Sequence, residues 1–205
     1  MKVILLTGPQ GSGNHLWSKV FTTWADKEYW VGHKDEPHSN LWEDMDSWRT
    51  HKFSGDTVIS ISVPYAVGGN TTFPDIKLWK EIMIERGIDH KICAITRDGY
   101  INFLQNDRVR PENNYKESVE YIKTLDIDCF LSTETLLLYQ WKYVEQVCRQ
   151  LEFTIDKKNV DFSQSFNEKY VKYVEEFDLD KQVWEVSGIG ERAQMSIQNS
   201  AKIRF

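Results

Sequence analysis

The sequence has few cysteines, no long apolar run and no excess of basic residues, and each absence excludes a class of protein. Its three cysteines show no C-x-x-C spacing and no neighbouring histidine pair, which excludes a disulfide framework and the common zinc sites. The apolar stretches are too short for a signal peptide or a membrane span. The net charge of -6 argues against a protein that coats nucleic acid. We therefore expect a cytoplasmic protein that binds neither a membrane nor a nucleic acid.

The composition of the chain is typical of a globular protein, and we expect residues 1–205 to form one domain. Apolar residues make up 40% and charged residues 27% of the chain, which is enough for a proper core at this length. Apolar runs predict strands at residues 2–7, 56–63, 91–96 and 128–132. Helical spacing predicts a first helix that begins at residue 14 and a later helix that follows Gly99 and ends at Asn106. It also predicts helices over residues 75–86, 115–125, 135–151 and 166–177. This alternation predicts an α/β fold whose central, mostly parallel sheet is flanked by helices.

In three segments the apolar residues recur with neither a helical nor a strand period. Residues 27–55 are aromatic and charged, and we predict irregular structure there with a short helix near 40–50. Residues 64–74 contain Gly68-Gly69 and predict a loop. The tail from 183 to 205 has no firm assignment. Long irregular segments inside compact domains are often functional.

The most informative feature is the glycine-rich loop that follows the first strand, from Gly8 to His15. A strand that ends in such a loop directs backbone N–H groups and a helix N-terminus at one anion, and we expect that anion to be a phosphate. Gly8 and Gly13 fit the Walker pattern G-x-x-x-x-G-K-[ST], but Asn14 stands at the lysine and His15 at the hydroxyl. The alternative is a strand–helix turn without a ligand.

A second candidate group lies after the buried strand 91–96. Ligands of open parallel sheets bind outside the carboxyl ends of the strands, and Arg97 stands at such an end, where it can hold a phosphate bidentately. Gln105 follows about two helical turns later and adds neutral donors. The alternatives are that Arg97 pairs with Asp98 or another carboxylate and that Gln105 is a surface amide.

Candidate proton-transfer groups are His15 and the run from His33 to His38, which includes Glu36. His15 begins the first helix, where the positive end of the dipole favours neutral imidazole. It can donate to a ligand oxygen or simply pack. The run from His33 to His38 offers bases and a cation, and its alternative is a solvated loop.

With these residues assembled, the chain resembles the P-loop sulfotransferase family. Gly11 to Leu16 resembles that family's 5′-phosphosulfate loop, and Ile95 to Asn106 resembles its 3′-phosphate segment. Leu131 to Leu136, with the later helix ending Cys148-Arg149-Gln150-Leu151, resembles its strand–helix segment. The family's loop lysine corresponds to Gly11, its strand-end histidine to Ser62 and its 3′-phosphate serine to Gln105.

The resemblance implies a three-layer P-loop nucleotide-binding fold and a sulfuryl transfer from 3′-phosphoadenosine 5′-phosphosulfate to a hydroxyl or amine of a small-molecule or glycan acceptor, leaving adenosine 3′,5′-bisphosphate. No metal is expected. The implied cofactor-binding residues are Gly11, Ser12, Gly13, Asn14, His15, Arg97 and Gln105. The implied catalytic residues are His15, His33 and Glu36.

Two other functions stay open at this point. A kinase-like P-loop phosphotransferase acting on a nucleotide or nucleoside requires magnesium and ATP, and the missing lysine and hydroxyl count against it. A non-catalytic nucleotide-binding protein keeps the phosphate loop and loses the reactive groups.

Overall fold

The computed structural model describes residues 1–22, 28–31, 40–53, 55–67, 70–109 and 112–153. The candidate bases His33 and Glu36, the predicted helix at 166–177 and the tail at 183–205 lie outside the described residues.

The described elements alternate between strands and helices, as the apolar pattern predicts. The strands are β1 (Lys2–Pro9), β2 (Glu28–Val31), β3 (Thr57–Val63), β4 (Tyr65–Val67), β5 (Asn70–Thr72), β6 (Asp89–Thr96) and β7 (Cys129–Ser132). The helices are α1 (Asn14–Thr22), α2 (Asn40–Glu43), α3 (Ser47–Thr50), α4 (Ile76–Glu85), α5 (Gly99–Val109), α6 (Tyr115–Lys123) and α7 (Thr133–Leu151).

Five of these strands form one parallel sheet in the order β2-β3-β1-β6-β7. The central strand β1 is buried from Val3 to Pro9, which explains its continuous apolar run. The chain leaves β1 toward the β2 side of the sheet and leaves β6 toward β7 on the other side. Because the connections diverge there, a crevice forms between the carboxyl ends of β1 and β6.

Side chains on alternate positions of the sheet enter two separate cores. On one face Ile4 and Leu6 pack with α1 and α7, and Trp17 is fully buried there. On the other face Val3 and Leu5 pack against residues of α3, α4 and α6. The result is helix, sheet and helix in three layers, which confirms the predicted α/β architecture.

The helix boundaries that carry the site have local causes in the sequence. The Ser132 side chain accepts a hydrogen bond from Thr135 N at 3.1 Å, so it caps α7 at the end of β7. In the same way Asp75 accepts from Leu78 N at 3.0 Å and caps α4, which Gly87 ends with a φ of +63°.

Two predictions about irregular segments are wrong. Within 27–55, residues Glu28–Val31 form a strand parallel to β3, because an edge strand of four residues is too short to show a period. Within 64–74, β4 and β5 pair as antiparallel strands, with Tyr65 opposite Thr72, and Gly68-Gly69 lies outside the described residues. The helix predicted near 40–50 is present as the two short helices α2 and α3.

None of the helices in the described part of the chain combines the length and apolar character needed to cross a membrane.

Candidate functional site

The candidate site lies where the turn between β1 and α1 meets the end of β6. The turn begins at Gln10 and ends at Gly13, so it occupies the crevice between the two diverging connections. Arg97 follows the last residue of β6, as its position in the sequence predicts. Both features therefore belong to the same edge of the sheet.

The carbonyl groups of this turn are held by side chains from helices far away in sequence. Asn106 of α5 donates to the carbonyl of Gln10 at 2.7 Å, and Thr133 of α7 donates to the carbonyl of Ser12 at 2.7 Å. All four residues are less than a tenth exposed. Each bond fixes the orientation of a peptide group, because the carbonyl is drawn outward to its donor and the peptide is planar.

Arg97 holds a third carbonyl of the same turn. Its guanidinium donates to the oxygen of Gly11 at 2.8 Å, and its side chain is 8% exposed. Its Nε lies 3.9 Å from a carboxylate oxygen of Glu134 on α7. The structure therefore shows the alternative of a carboxylate partner, which is Glu134, and the phosphate ligand of Arg97 stays a prediction.

Two N–H groups of the turn, those of Gly11 and Gly13, are left for a ligand, whereas the N–H of Ser12 donates to the carbonyl of Pro9 at 3.1 Å. No described residue accepts a hydrogen bond from the backbone N–H of Gly11 or of Gly13. Both glycines have positive φ, +82° and +110°, a conformation that a side chain disfavours. Since the carbonyls on either side are drawn outward, these N–H groups form a concavity that suits an anion.

The two glycines are also required by space. A Cβ at Gly11 would lie 2.5 Å from Cγ of Gln105, and a Cβ at Gly13 would lie 2.6 Å from Oγ1 of Thr133. Helices α5 and α7 therefore press directly on the turn. Gln105, predicted as a ligand, lies against Gly11 from α5.

Asn14, at the Walker lysine position, is a buried structural group. Its Nδ2 donates to Oγ of Ser62 at 2.8 Å, and its Oδ1 accepts from Oγ of Ser12 at 3.0 Å. Ser62 is the residue at the position of the sulfotransferase histidine. The carboxamide therefore fastens the loop to the end of β3 without contributing charge.

Of the predicted catalytic residues, the structure describes His15. It is exposed and lies in the first turn of α1, next to the loop. His33 and Glu36 lie outside the described residues. In the described part of the chain, histidine, cysteine and acidic side chains form no cluster of three that could hold a metal ion.

Sequence analysis missed Thr133 as a residue of the site. It stands 121 positions from Ser12, within the segment from Leu131 to Leu136 that resembles the sulfotransferase strand–helix, and it has no predicted role there. The available signal was its place directly after a short strand, at the same sheet edge as the loop. Asn106 was noted only as part of the segment that resembles the 3′-phosphate motif.

Comparison with known proteins identifies the fold. No family model matches the chain, and no curated protein matches it. Among solved structures, it is similar to a tunicamycin resistance protein from Deinococcus radiodurans, with 12% identity, a TM-score of 0.51, and coverage of 77% of this chain and 99% of that one. It also matches a sugar kinase from Janibacter sp. with 12% identity and a TM-score of 0.45, over 75% of this chain and 96% of that one. The likeness to the first of these structures, together with the parallel sheet between two helical layers, shows that the chain has a three-layer α/β fold of the P-loop kind.

Proposed function

We propose that this protein binds the phosphate groups of an adenine nucleotide at the turn between β1 and α1, and that it acts as a nucleotide-dependent transferase. The observation that carries the proposal is the orientation of the loop peptides. Side chains of Asn106 and Thr133 hold the carbonyls of Gln10 and Ser12, so that the N–H groups of Gly11 and Gly13 in the same peptides face the crevice, and Arg97 holds the carbonyl of Gly11 between them. An anion there gains several backbone donors and the N-terminus of α1.

A kinase-like phosphotransferase is one candidate chemistry. The P-loop fold and the spacing of Gly8 and Gly13 support it. In such enzymes the Walker lysine places a positive charge beside the transferred phosphoryl group. Asn14 cannot do this, because its carboxamide is neutral and is hydrogen-bonded to Ser12 and Ser62. This candidate therefore requires another residue to supply the cation.

Sulfuryl transfer from 3′-phosphoadenosine 5′-phosphosulfate is the other candidate, and the features that the loop lacks support it. This chemistry requires no metal, and His15 replaces the hydroxyl that would bind magnesium. In this proposal the N–H groups of Gly11, Gly13 and Asn14 hold the 5′-phosphate, and the N–H of Ser12 is excluded because it donates to Pro9. Arg97 and Gln105 lie toward the 3′-phosphate, and a base among His15, His33 and Glu36 takes the acceptor proton. A small-molecule or glycan hydroxyl or amine is the acceptor, and the protein works in the cytoplasm.

A thermal-shift panel tests the proposal and separates the candidates. A ligand at 100 times its dissociation constant stabilises the folded state by about 2.7 kcal/mol, which corresponds to about 5 to 10 °C in a chain of this size. We expect this shift with adenosine 3′,5′-bisphosphate if the donor is the phosphosulfate, and with ATP and magnesium if it is ATP. No shift with either compound contradicts the proposal.

A matched pair of arginine variants locates the effect. Arg97→Ala is expected to abolish the shift because it removes the cation that contacts Gly11. Arg49→Ala removes a surface cation that pairs with Asp46 and is expected to leave the shift unchanged. If the ligand raises the melting temperature of both variants equally, Arg97 does not contribute to ligand binding.

A further inference from the structure

A cavity of about 600 Å³ adjoins the loop on the face of the sheet that α6 covers. Pro9 and Arg97 line it at the carboxyl ends of β1 and β6, so it begins at the candidate site. Leu125, Ile127 and Phe130 line it near β7. We call this space the α6 cavity, and its volume is within the range of small-molecule sites.

The part of the α6 cavity away from the loop is aliphatic apart from Lys123, whose ammonium group pairs with Glu120 at 2.7 Å. Val119 and Ile122 of α6 line it together with Leu125 and Ile127. These four side chains are half-buried, and Ile122, Leu125 and Ile127 also pack against the core on this face of the sheet. A purine placed among them would leave its ring nitrogens without hydrogen-bond partners, which costs about 1–3 kcal/mol for each buried polar group. The lining therefore favours an apolar occupant over a nucleobase.

Polar groups gather at the end of the cavity near the loop. Arg97, Asn102 and Tyr115 line it there. Burial, together with the nearby charge of Asp98, raises the pKa of Tyr115, so the phenol stays neutral at physiological pH and can both donate and accept. An occupant with a single hydroxyl would meet these groups with that hydroxyl directed at the loop.

We propose that the α6 cavity binds the acceptor of the transfer reaction, and that this acceptor is an apolar small molecule with one hydroxyl directed at Arg97 and the loop. The proposal rests on the proposed function, because it takes the loop as the site of the donor phosphates. It names a substrate class, apolar alcohols and phenols, and it places the acceptor against α5 and α6.

Calorimetric titration of the full chain with 4-ethylphenol, 4-butylphenol and 4-hexylphenol tests the proposal. Each added methylene is expected to raise the affinity by about fourfold, since a buried CH₂ contributes about 0.8 kcal/mol. The titrations are run with and without adenosine 3′,5′-bisphosphate, and binding of the bisphosphate is measured separately.

Three variants separate the cavity from general apolar binding. Val119→Trp fills the cavity and Phe130→Asn makes its rim polar, and both are expected to abolish the dependence on chain length. Phe130 is 61% exposed, so its replacement leaves the fold intact even if Val119→Trp does not fold. Ile84→Trp adds the same indole at a position on α4 that is 61% exposed and outside the cavity lining, and we expect it to behave like the wild type.

Equal affinities for the three phenols would overturn the cavity proposal. A chain-length dependence that Val119→Trp and Phe130→Asn both retain would overturn it as well. If neither the bisphosphate nor ATP with magnesium binds, the proposed function fails, and the phenol series still decides whether the cavity takes apolar ligands.

Discussion

Replacement of Gly13 by alanine should destabilise the protein for two separable reasons. Its φ of +110° is unfavourable for any residue with a Cβ, at a cost of about 1–2 kcal/mol. The new Cβ would also lie 2.6 Å from Oγ1 of Thr133, and overpacking of this kind costs about 1–3 kcal/mol. We therefore expect Gly13→Ala to lower the free energy of unfolding by about 2–5 kcal/mol.

Gly87 offers a matched control for the backbone strain. It also has a positive φ, +63°, but a Cβ there would meet nothing within 4 Å. Gly87→Ala should therefore cost only the strain, about 1–2 kcal/mol. Urea unfolding followed by tryptophan fluorescence gives both values, and Gly13→Ala should exceed Gly87→Ala by at least about 1 kcal/mol.

A double-mutant cycle isolates the steric contact between Gly13 and Thr133. Thr133→Ala alone removes the hydrogen bond to the carbonyl of Ser12 and should cost about 1–2 kcal/mol. In the double variant the alanine Cβ no longer meets a hydroxyl, so the free energy lost by the double variant should be smaller than the sum of the two single losses by about 1 kcal/mol or more. Equal costs for Gly13→Ala and Gly87→Ala, with additive effects in the cycle, would refute the claim that α7 presses on the loop.

The remaining predictions concern buried polar groups. Thr7 is fully buried and its hydroxyl has no hydrogen-bond partner among the described residues, so Thr7→Val should raise the free energy of unfolding in urea by about 1 kcal/mol. Asn14→Ala should lower the same quantity by about 1–3 kcal/mol, because it leaves the buried hydroxyl of Ser12 without its acceptor and removes the donor to Ser62; an unchanged midpoint would contradict this. Burial raises the pKa of Cys148 from 9.0 to about 11, which favours the neutral thiol, so at pH 8 alkylation measured by mass spectrometry should be about 100-fold slower than for a thiol with the ordinary pKa, and labelling at the ordinary rate would contradict the shift.

The sequence contained enough information for the fold and for the position of the loop. The apolar run from Val3 to Leu6 predicts the buried strand, and the glycines after it predict the turn into α1. Arg97 was placed at the right sheet edge because its strand is also continuous and apolar. These predictions succeed because each depends on residues that are adjacent in the chain.

The arrangement around the loop could not be predicted, because its contacts join distant segments. Asn14 marks a missing lysine in the sequence, but nothing local shows that its carboxamide binds Ser62, 48 residues away. Thr133 lies in the segment that resembles the sulfotransferase strand–helix, but nothing local shows that its hydroxyl binds the carbonyl of Ser12. The hairpin β4–β5 was missed because strands of three residues show no period.

The central claim is that the N–H groups of the loop bind phosphate, and amide chemical shifts of the protein labelled with ¹⁵N at glycine test it most directly. Titration with adenosine 3′,5′-bisphosphate, or with ATP and magnesium, should shift the amide signals of Gly11 and Gly13 downfield. The signals of Gly55 and Gly87, which lie elsewhere in the fold, should stay in place. Signals of Gly11 and Gly13 that stay unchanged at saturation would contradict the account.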